Sequence, residues 1–122
     1  MIGPHIQLIL MVTGVITAGA FGIFLAPATL LRWVFGEVRP SAVGLMVTRH
    51  WGLLVAGVGV LLVHAALHPA VRPPILAFAV IEKLVIGALI LGTSLRRHRL
   101  AAFIAVADLL MALLYVLYWA GV

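Results

Sequence analysis

Long apolar runs joined by short polar connections dominate this chain of 122 residues. A hydrocarbon core about 30 Å thick is crossed by roughly 20 apolar residues of α-helix, so the length allows four crossings and leaves no room for a soluble domain. Hydrophobic residues make up 66% of the chain and charged residues 9%, which excludes an ordinary soluble protein. We therefore expect an all-α fold, a four-transmembrane-helix bundle that forms a single integral-membrane domain over residues 1–122.

Prolines and charged residues set the expected helix boundaries. We predict four spanning helices, at about residues 6–26, 42–67, 75–95 and 100–119. Pro27 closes the first, and residues 68–74, HPAVRPP, separate the second from the third because prolines remove amide donors. Residues 28–35 are apolar apart from Arg32, which predicts a short interfacial helix between the first two spans.

Arginine is distributed unequally between the two ends of the predicted bundle. One end carries Arg32, Arg39, Arg96, Arg97 and Arg99, whereas the other carries Arg72 alone. Because cytoplasmic loops hold the excess of Lys and Arg, we expect both termini outside the membrane.

A cysteine-free chain rich in arginine, alanine and valine is typical of a bacterial plasma membrane protein. The basic residues flank apolar runs and form no stripe with aromatics, so we expect no nucleic acid partner.

Four charged residues fall inside the predicted spans, namely Arg49, Glu82, Lys83 and Asp108. A charge at the bilayer centre costs about 2.5–3.5 kcal/mol on insertion scales, so such groups normally face the bundle interior and pair. Arg49 and Asp108 lie about 10 and 12 Å from the same end of their helices. This matching depth predicts an ion pair between them, with Glu82 linked through water or Lys83.

One face of the fourth predicted helix combines small residues, Asp108 and aromatic rings, at Ala101, Ala105, Asp108, Ala112, Tyr115 and Trp119. Two interpretations of the charged residues remain open, besides an accidental position facing lipid. In one, they form a structural network that fixes helix register. In the other, Arg49, Glu82 and Asp108 are candidate catalytic residues beside a cavity, Arg49 holding an anionic or carbonyl oxygen and a carboxylate moving a proton. The candidate substrate-binding residues are then His50, Lys83 and Tyr115.

Small residues on the first two helices predict close helix packing, at Gly14, Ala18, Gly22, Gly52, Gly57 and Gly59. Thr13 and Thr17 can return their hydroxyls to the backbone of their own helix and need no other role. Trp51 is expected to serve as an interface anchor or packing ring.

The histidines do not complete a cofactor site. His50 and His64 share one helix face about 21 Å apart, a spacing used by two-haem membrane cytochromes, but no histidine on another helix matches their depth. His5, His64 and His68 lie near one rim without an acidic residue to support a metal ion. With no cysteine in the chain, thiolate metal sites are excluded, and we expect neither cofactor nor metal.

Four short spans, the sequence Arg49-His50-Trp51-Gly52, the glycine-rich run after it and the acid of Glu82-Lys83 give the chain a family resemblance. It resembles the DoxX-like superfamily, especially its small uncharacterised four-helix members, over most of its length. The resemblance implies a four-helix membrane bundle with a polar interior. It implies little about activity, because these families have been associated with quinone-linked oxidation, redox partnerships and accessory roles. Arg49, Gly52 and Glu82 are the positions that carry over.

Two functions follow as alternatives. Short loops, small-residue packing and the lack of a complete catalytic motif favour an accessory or structural subunit of a larger membrane complex, or a homo-oligomeric bundle. The alternative is a membrane-embedded enzyme or binder for an apolar substrate such as a quinone, sterol or terpenoid. A subunit predicts close, dry pairing of Arg49 with Asp108, whereas an enzyme or binder predicts an opening beside them large enough for a ligand.

Overall fold

The computed structural model describes residues 2–36 and 39–121, leaving Met1, Glu37, Val38 and Val122 outside the description. Within these residues the fold is all helical, and its α-helices are α1 Ile6–Ala18, α2 Phe21–Leu25, α3 Pro27–Phe35, α4 Ala42–Leu67, α5 Arg72–Leu91 and α6 Arg99–Trp119. Four stretches are long and apolar enough to cross a membrane, namely Gly3–Leu25, Ala42–Leu67, Pro69–Leu91 and Arg99–Trp119. The expected four-span architecture is confirmed, and the protein is an integral membrane protein.

The first span is interrupted, in contrast to the single helix predicted over about 6–26. After α1, the Gly19 amide bonds to the carbonyls of both Val15 and Ile16, at 3.2 and 3.1 Å, and three-residue hydrogen bonds follow before the α-helical pattern resumes in α2. Glycine is about 1 kcal/mol less favourable than alanine inside a helix, so the interruption coincides with a residue of low helix propensity. Pro27 then opens α3, which is the short helix predicted between the first two spans.

The α4 boundaries agree with the prediction, while those of the third span differ. The helix α5 begins at Arg72 because Pro73 and Pro74 occupy its first turn, where an amide donor has no intrahelical acceptor. It ends at Leu91, before a 3₁₀ turn at Ser94–Arg97. The Arg72 side chain donates to two terminal carbonyls of α4, of Ala65 at 2.7 Å and Ala66 at 2.9 Å. Arg72 thereby joins the ends of α4 and α5.

Close packing of α1 and α2 on α4 depends on three of the predicted small residues. A Cβ atom on Gly14 would lie 2.8 Å from the carbonyl oxygen of Gly59, and one on Gly52 would lie 2.7 Å from a side-chain atom of α2. The backbones therefore touch where a larger residue would separate them. The same prediction is wrong for Gly22 and Gly57, which have open space around them.

Two apolar clusters hold the bundle together at different heights. The larger one joins α1, α4, α5 and α6 through fully buried side chains that include Leu10, Leu62, Leu76 and Tyr115. The smaller one joins α3, α5 and α6 through Val34, Ile90, Ala101 and Ala105. Along α5 and α6, the polar residues Lys83 and Asp108 lie between the parts of each helix that enter the two clusters.

Candidate functional site

An ion pair joins α5 to α6 inside the bundle. Lys83 Nζ lies 3.0 Å from Asp108 Oδ1, with the Lys83 side chain 1% exposed and the Asp108 side chain 18% exposed. It is the one Lys or Arg contact with a carboxylate that the structure shows in residues 2–36 and 39–121. Within a bilayer such a pair replaces the water that either charge would otherwise need.

A hydrogen-bond network extends from this pair into α1. Lys83 Nζ also donates to the Thr17 hydroxyl at 3.0 Å, and that hydroxyl donates to the Thr13 carbonyl at 2.7 Å. The Tyr115 hydroxyl donates to Thr13 Oγ1 at 2.6 Å, and Thr13 Oγ1 donates to the Ile9 carbonyl at 2.7 Å. The network therefore joins α1, α5 and α6 through polar groups that all have hydrogen-bond partners. A buried polar network that is fully hydrogen-bonded stabilises a single packing of the helices.

The two threonines are functional parts of this network that sequence reasoning missed. Both hydroxyls return to the α1 backbone as expected, yet each also accepts a bond from another helix, Thr13 from Tyr115 and Thr17 from Lys83. Their spacing of four residues, which places both on one helix face opposite α5 and α6, was the available signal.

The predicted ion pair between Arg49 and Asp108 is wrong. Asp108 bonds to Lys83, and both Arg49 and His50 are exposed on α4. No residue of α4 before Gly52 is buried. Depth along a helix does not determine the face on which a residue lies, and the Arg49 side chain lies on an exposed part of α4.

Glu82 has a buried carboxyl oxygen without a partner. The residue is half-buried, and its Oε1 atom is inaccessible to solvent and receives no hydrogen bond from any described residue. The adjacent Lys83 points its ammonium group to Thr17 and Asp108 instead. Buried polar atoms are rarely left unpaired, because each such atom costs about 1–3 kcal/mol. Among the described residues, Glu82 Oε1 is the one buried side-chain polar atom that lacks a hydrogen-bond partner.

Glu82 lines a cavity of about 280 Å³, which we call the Glu82 cavity. Its polar lining comes mainly from Thr17, Glu82 and Asp108, and the remaining wall is mostly aliphatic and aromatic, including Ile23, Val34, Ile86 and Ile104. The wall draws on α1 to α6. Gly19 and Ala20, between α1 and α2, also line it.

The Glu82 cavity reaches the outer surface of the bundle. Two of its lining side chains, Ile16 and Phe103, are 60% and 70% exposed. Both belong to helices long and apolar enough to span the membrane, where exposed apolar side chains face lipid. An apolar molecule in the bilayer would therefore reach Glu82 and Asp108 laterally, without crossing water.

The predicted site residues separate into three groups. Glu82 and Asp108 are brought together on the Glu82 cavity wall. Lys83 and Tyr115, the expected substrate-binding residues, are buried in the network that supports this wall. Arg49 and His50 lie outside it, whereas Trp51, expected to be an anchor or packing ring, lines the cavity.

In the described part of the chain, His, Asp and Glu side chains form no group of three or more that could hold a metal ion. No protein-family model, curated protein or solved structure matches the chain.

Proposed function

We propose that this membrane protein binds an apolar small molecule from the bilayer in the Glu82 cavity. The observation that carries the proposal is that Glu82 and Asp108 lie on the wall of an otherwise largely apolar cavity of about 280 Å³, and that Glu82, unlike Asp108, has no ion-pair partner among the described residues. Small-molecule sites have this composition, an apolar wall with a few polar groups that fix orientation, and begin at about 300 Å³. The volume suits a compact ligand.

The unpartnered Glu82 favours a ligand with a hydrogen-bonding group. A hydroxyl group both donates and accepts, so a hydroxyl-bearing molecule of the terpenoid or sterol type would pair with the Glu82 carboxyl group in either its ionised or its protonated form. A quinone offers only carbonyl acceptors and would pair with the protonated form alone. Among the apolar classes expected from the sequence, those with a hydroxyl group therefore fit better.

The proposal is one of binding. The enzymatic interpretation needs Arg49 to hold a substrate oxygen, and Arg49 is exposed and absent from the described lining of the cavity. Asp108, the second acid at the cavity, is already paired with Lys83 at 3.0 Å. The remaining polar groups orient a ligand without forming a complete catalytic set.

Native mass spectrometry of the protein extracted in polymer discs tests this function. We expect a defined apolar molecule at one copy per chain. The variant Ala107→Leu adds bulk to the cavity wall and should lose that molecule, while the control Ala88→Leu on the exposed face of α5 should keep it. Recovery of bilayer phospholipid alone, or equal retention in Ala107→Leu, would contradict the proposal.

A second candidate, an accessory or structural subunit or a homo-oligomer, is favoured by the position of Arg49. This arginine is exposed within the candidate span Ala42–Leu67, on a part of α4 that the rest of the chain does not bury. Charges within spans normally pair with another group. A larger protein or second copy in the same mass spectra, lost in Arg49→Gln, would support this alternative.

For location, we infer that both termini lie outside a bacterial plasma membrane and that the arginine-rich connections lie in the cytoplasm. Support comes from the five arginines at one end of the bundle against Arg72 at the other. Membership of the DoxX-like superfamily is likewise a proposal that rests on Arg49, Gly52 and Glu82.

A further inference from the structure

We propose that the natural ligand of the Glu82 cavity is a compact apolar molecule that carries a single protonated amine. This inference rests on the proposed binding function and narrows it to one chemical class. It follows from the charges that line the cavity, from the bonds that Lys83 makes, and from the aromatic residues on the same wall.

The cavity wall has two acidic residues and no basic one. Among the described residues, Glu82 and Asp108 line it, and no Lys, Arg or His side chain does. Lys83 lies behind the wall and bonds to Asp108 and to Thr17, each at 3.0 Å. This lysine compensates Asp108 and leaves Glu82 without a cationic partner among the described residues.

No other cation of the described chain lies at the cavity wall. The exposed Arg49 belongs to the unpacked start of α4, and Arg96, Arg97 and Arg99 belong to the exposed connection before α6 and the first turn of that helix. Glu82 is therefore neutralised either by a proton or by a cationic ligand. A protonated amine in the cavity would replace that proton and donate a charge-assisted hydrogen bond to the Glu82 carboxylate.

Aromatic side chains add a second feature suited to an ammonium group. Phe35, Trp51 and Phe103 all line the Glu82 cavity. A cation near an aromatic face is attracted to the ring, most strongly when both are out of water, and aromatic rings combined with a carboxylate are a common environment for ammonium ligands. An alcohol would pair with the Glu82 carboxyl group without using either a charge or the rings.

Three probes that share one rigid apolar body show how the charge of the polar group affects binding while the shape stays constant. We would titrate adamantan-1-amine, adamantan-1-ol and adamantane-1-carboxylate into the protein in discs of zwitterionic lipid, with protein-free discs as the partition control. Trp51 reports occupancy because it lines the cavity, and the background Trp33→Phe with Trp119→Phe removes the two other tryptophans, which are 67% and 46% exposed.

We expect the amine to bind about tenfold or more tightly than the alcohol, because a hydrogen bond between two charged groups is stronger than one with a neutral partner. The carboxylate should not bind. In Glu82→Gln, the amine affinity should fall to that of the alcohol while the alcohol affinity is retained. The control Arg49→Gln, which removes a charge outside the cavity, should leave the preference for the amine unchanged.

Each outcome separates this inference from the function on which it rests. Equal binding of alcohol and amine, or an amine preference that survives in Glu82→Gln, would overturn the inference and leave an apolar binding site in place. Binding of none of the three probes would overturn the proposed function as well. If Glu82→Gln does not fold, the relative affinities of the three probes for the protein with Glu82 unchanged decide whether the inference holds.

Discussion

Lys83 is the residue on which the interior of the bundle depends most directly. It is among the largest fully buried side chains, and its ammonium group bonds to both Asp108 and Thr17. One residue thus holds α1, α5 and α6 in a fixed relation and leaves Glu82 unpaired on the cavity wall. The same contacts explain why Lys83 is a positioning residue for the cavity and not part of its lining.

Removing Lys83 should therefore destabilise the fold more than removing an exposed charge. We expect Lys83→Met to lower the free energy of unfolding by about 3 kcal/mol, because Asp108 is left charged without its partner. The double variant Lys83→Met with Asp108→Asn should recover most of the loss. Denaturant unfolding in mixed micelles measures both values.

Arg49→Gln provides the control for this experiment. Since Arg49 is exposed on α4, the substitution should change the unfolding free energy by no more than about 0.5 kcal/mol. A loss as large as that of Lys83→Met, or no recovery in the double variant, would contradict the assignment of the ion pair.

At the scale of elements, the crossing of α1 and α4 is the closest contact between helices and depends on glycine. A Cβ atom on Gly59 would lie 2.6 Å from the Gly14 carbonyl oxygen and would also meet the backbone of Ala18. Since backbone atoms cannot move aside like the end of a flexible side chain, this contact sets the distance between the two helices.

The variant Gly59→Ala should consequently push α1 away from α4 and lower the free energy of unfolding by about 1–3 kcal/mol. Gly57→Ala, two residues earlier on the same helix, is the matched control because open space surrounds Gly57. It should cause no loss, and the better helix propensity of alanine favours a gain of up to about 1 kcal/mol. Equal effects of the two variants in thermal unfolding would argue against this packing.

At the scale of the whole molecule, orientation in the membrane is the property that remains to be measured. The chain has no cysteine, so single cysteines can be introduced at Ala70 and Ser94, both exposed and at opposite ends of the spans. In intact cells, a membrane-impermeant maleimide should label Ala70→Cys. Ser94→Cys should react only after permeabilisation. The reverse pattern would place the arginine-rich connections outside.

The sequence by itself determined the four spans, the short helix between the first two, and the boundaries of α4. These features are local, because a bilayer of fixed thickness requires an apolar run of fixed length, and Ser41 supplies a capping oxygen to the Gly44 amide at 3.0 Å. Glycine at positions 14, 52 and 59 was also correctly expected to permit close packing. The absence of a side chain is a local property that the sequence shows directly.

Only the tertiary structure decided which charged residues meet. Adjacent residues on a helix point about 100° apart, so the choice between Glu82 and Lys83 as the partner of Asp108 depends on the rotation of α5 against α6. Arg49 was matched to Asp108 by depth alone, and its side chain is exposed on α4. The cavity draws its wall from α1 to α6, so it is set jointly by the packing of several helices rather than by any one stretch of sequence.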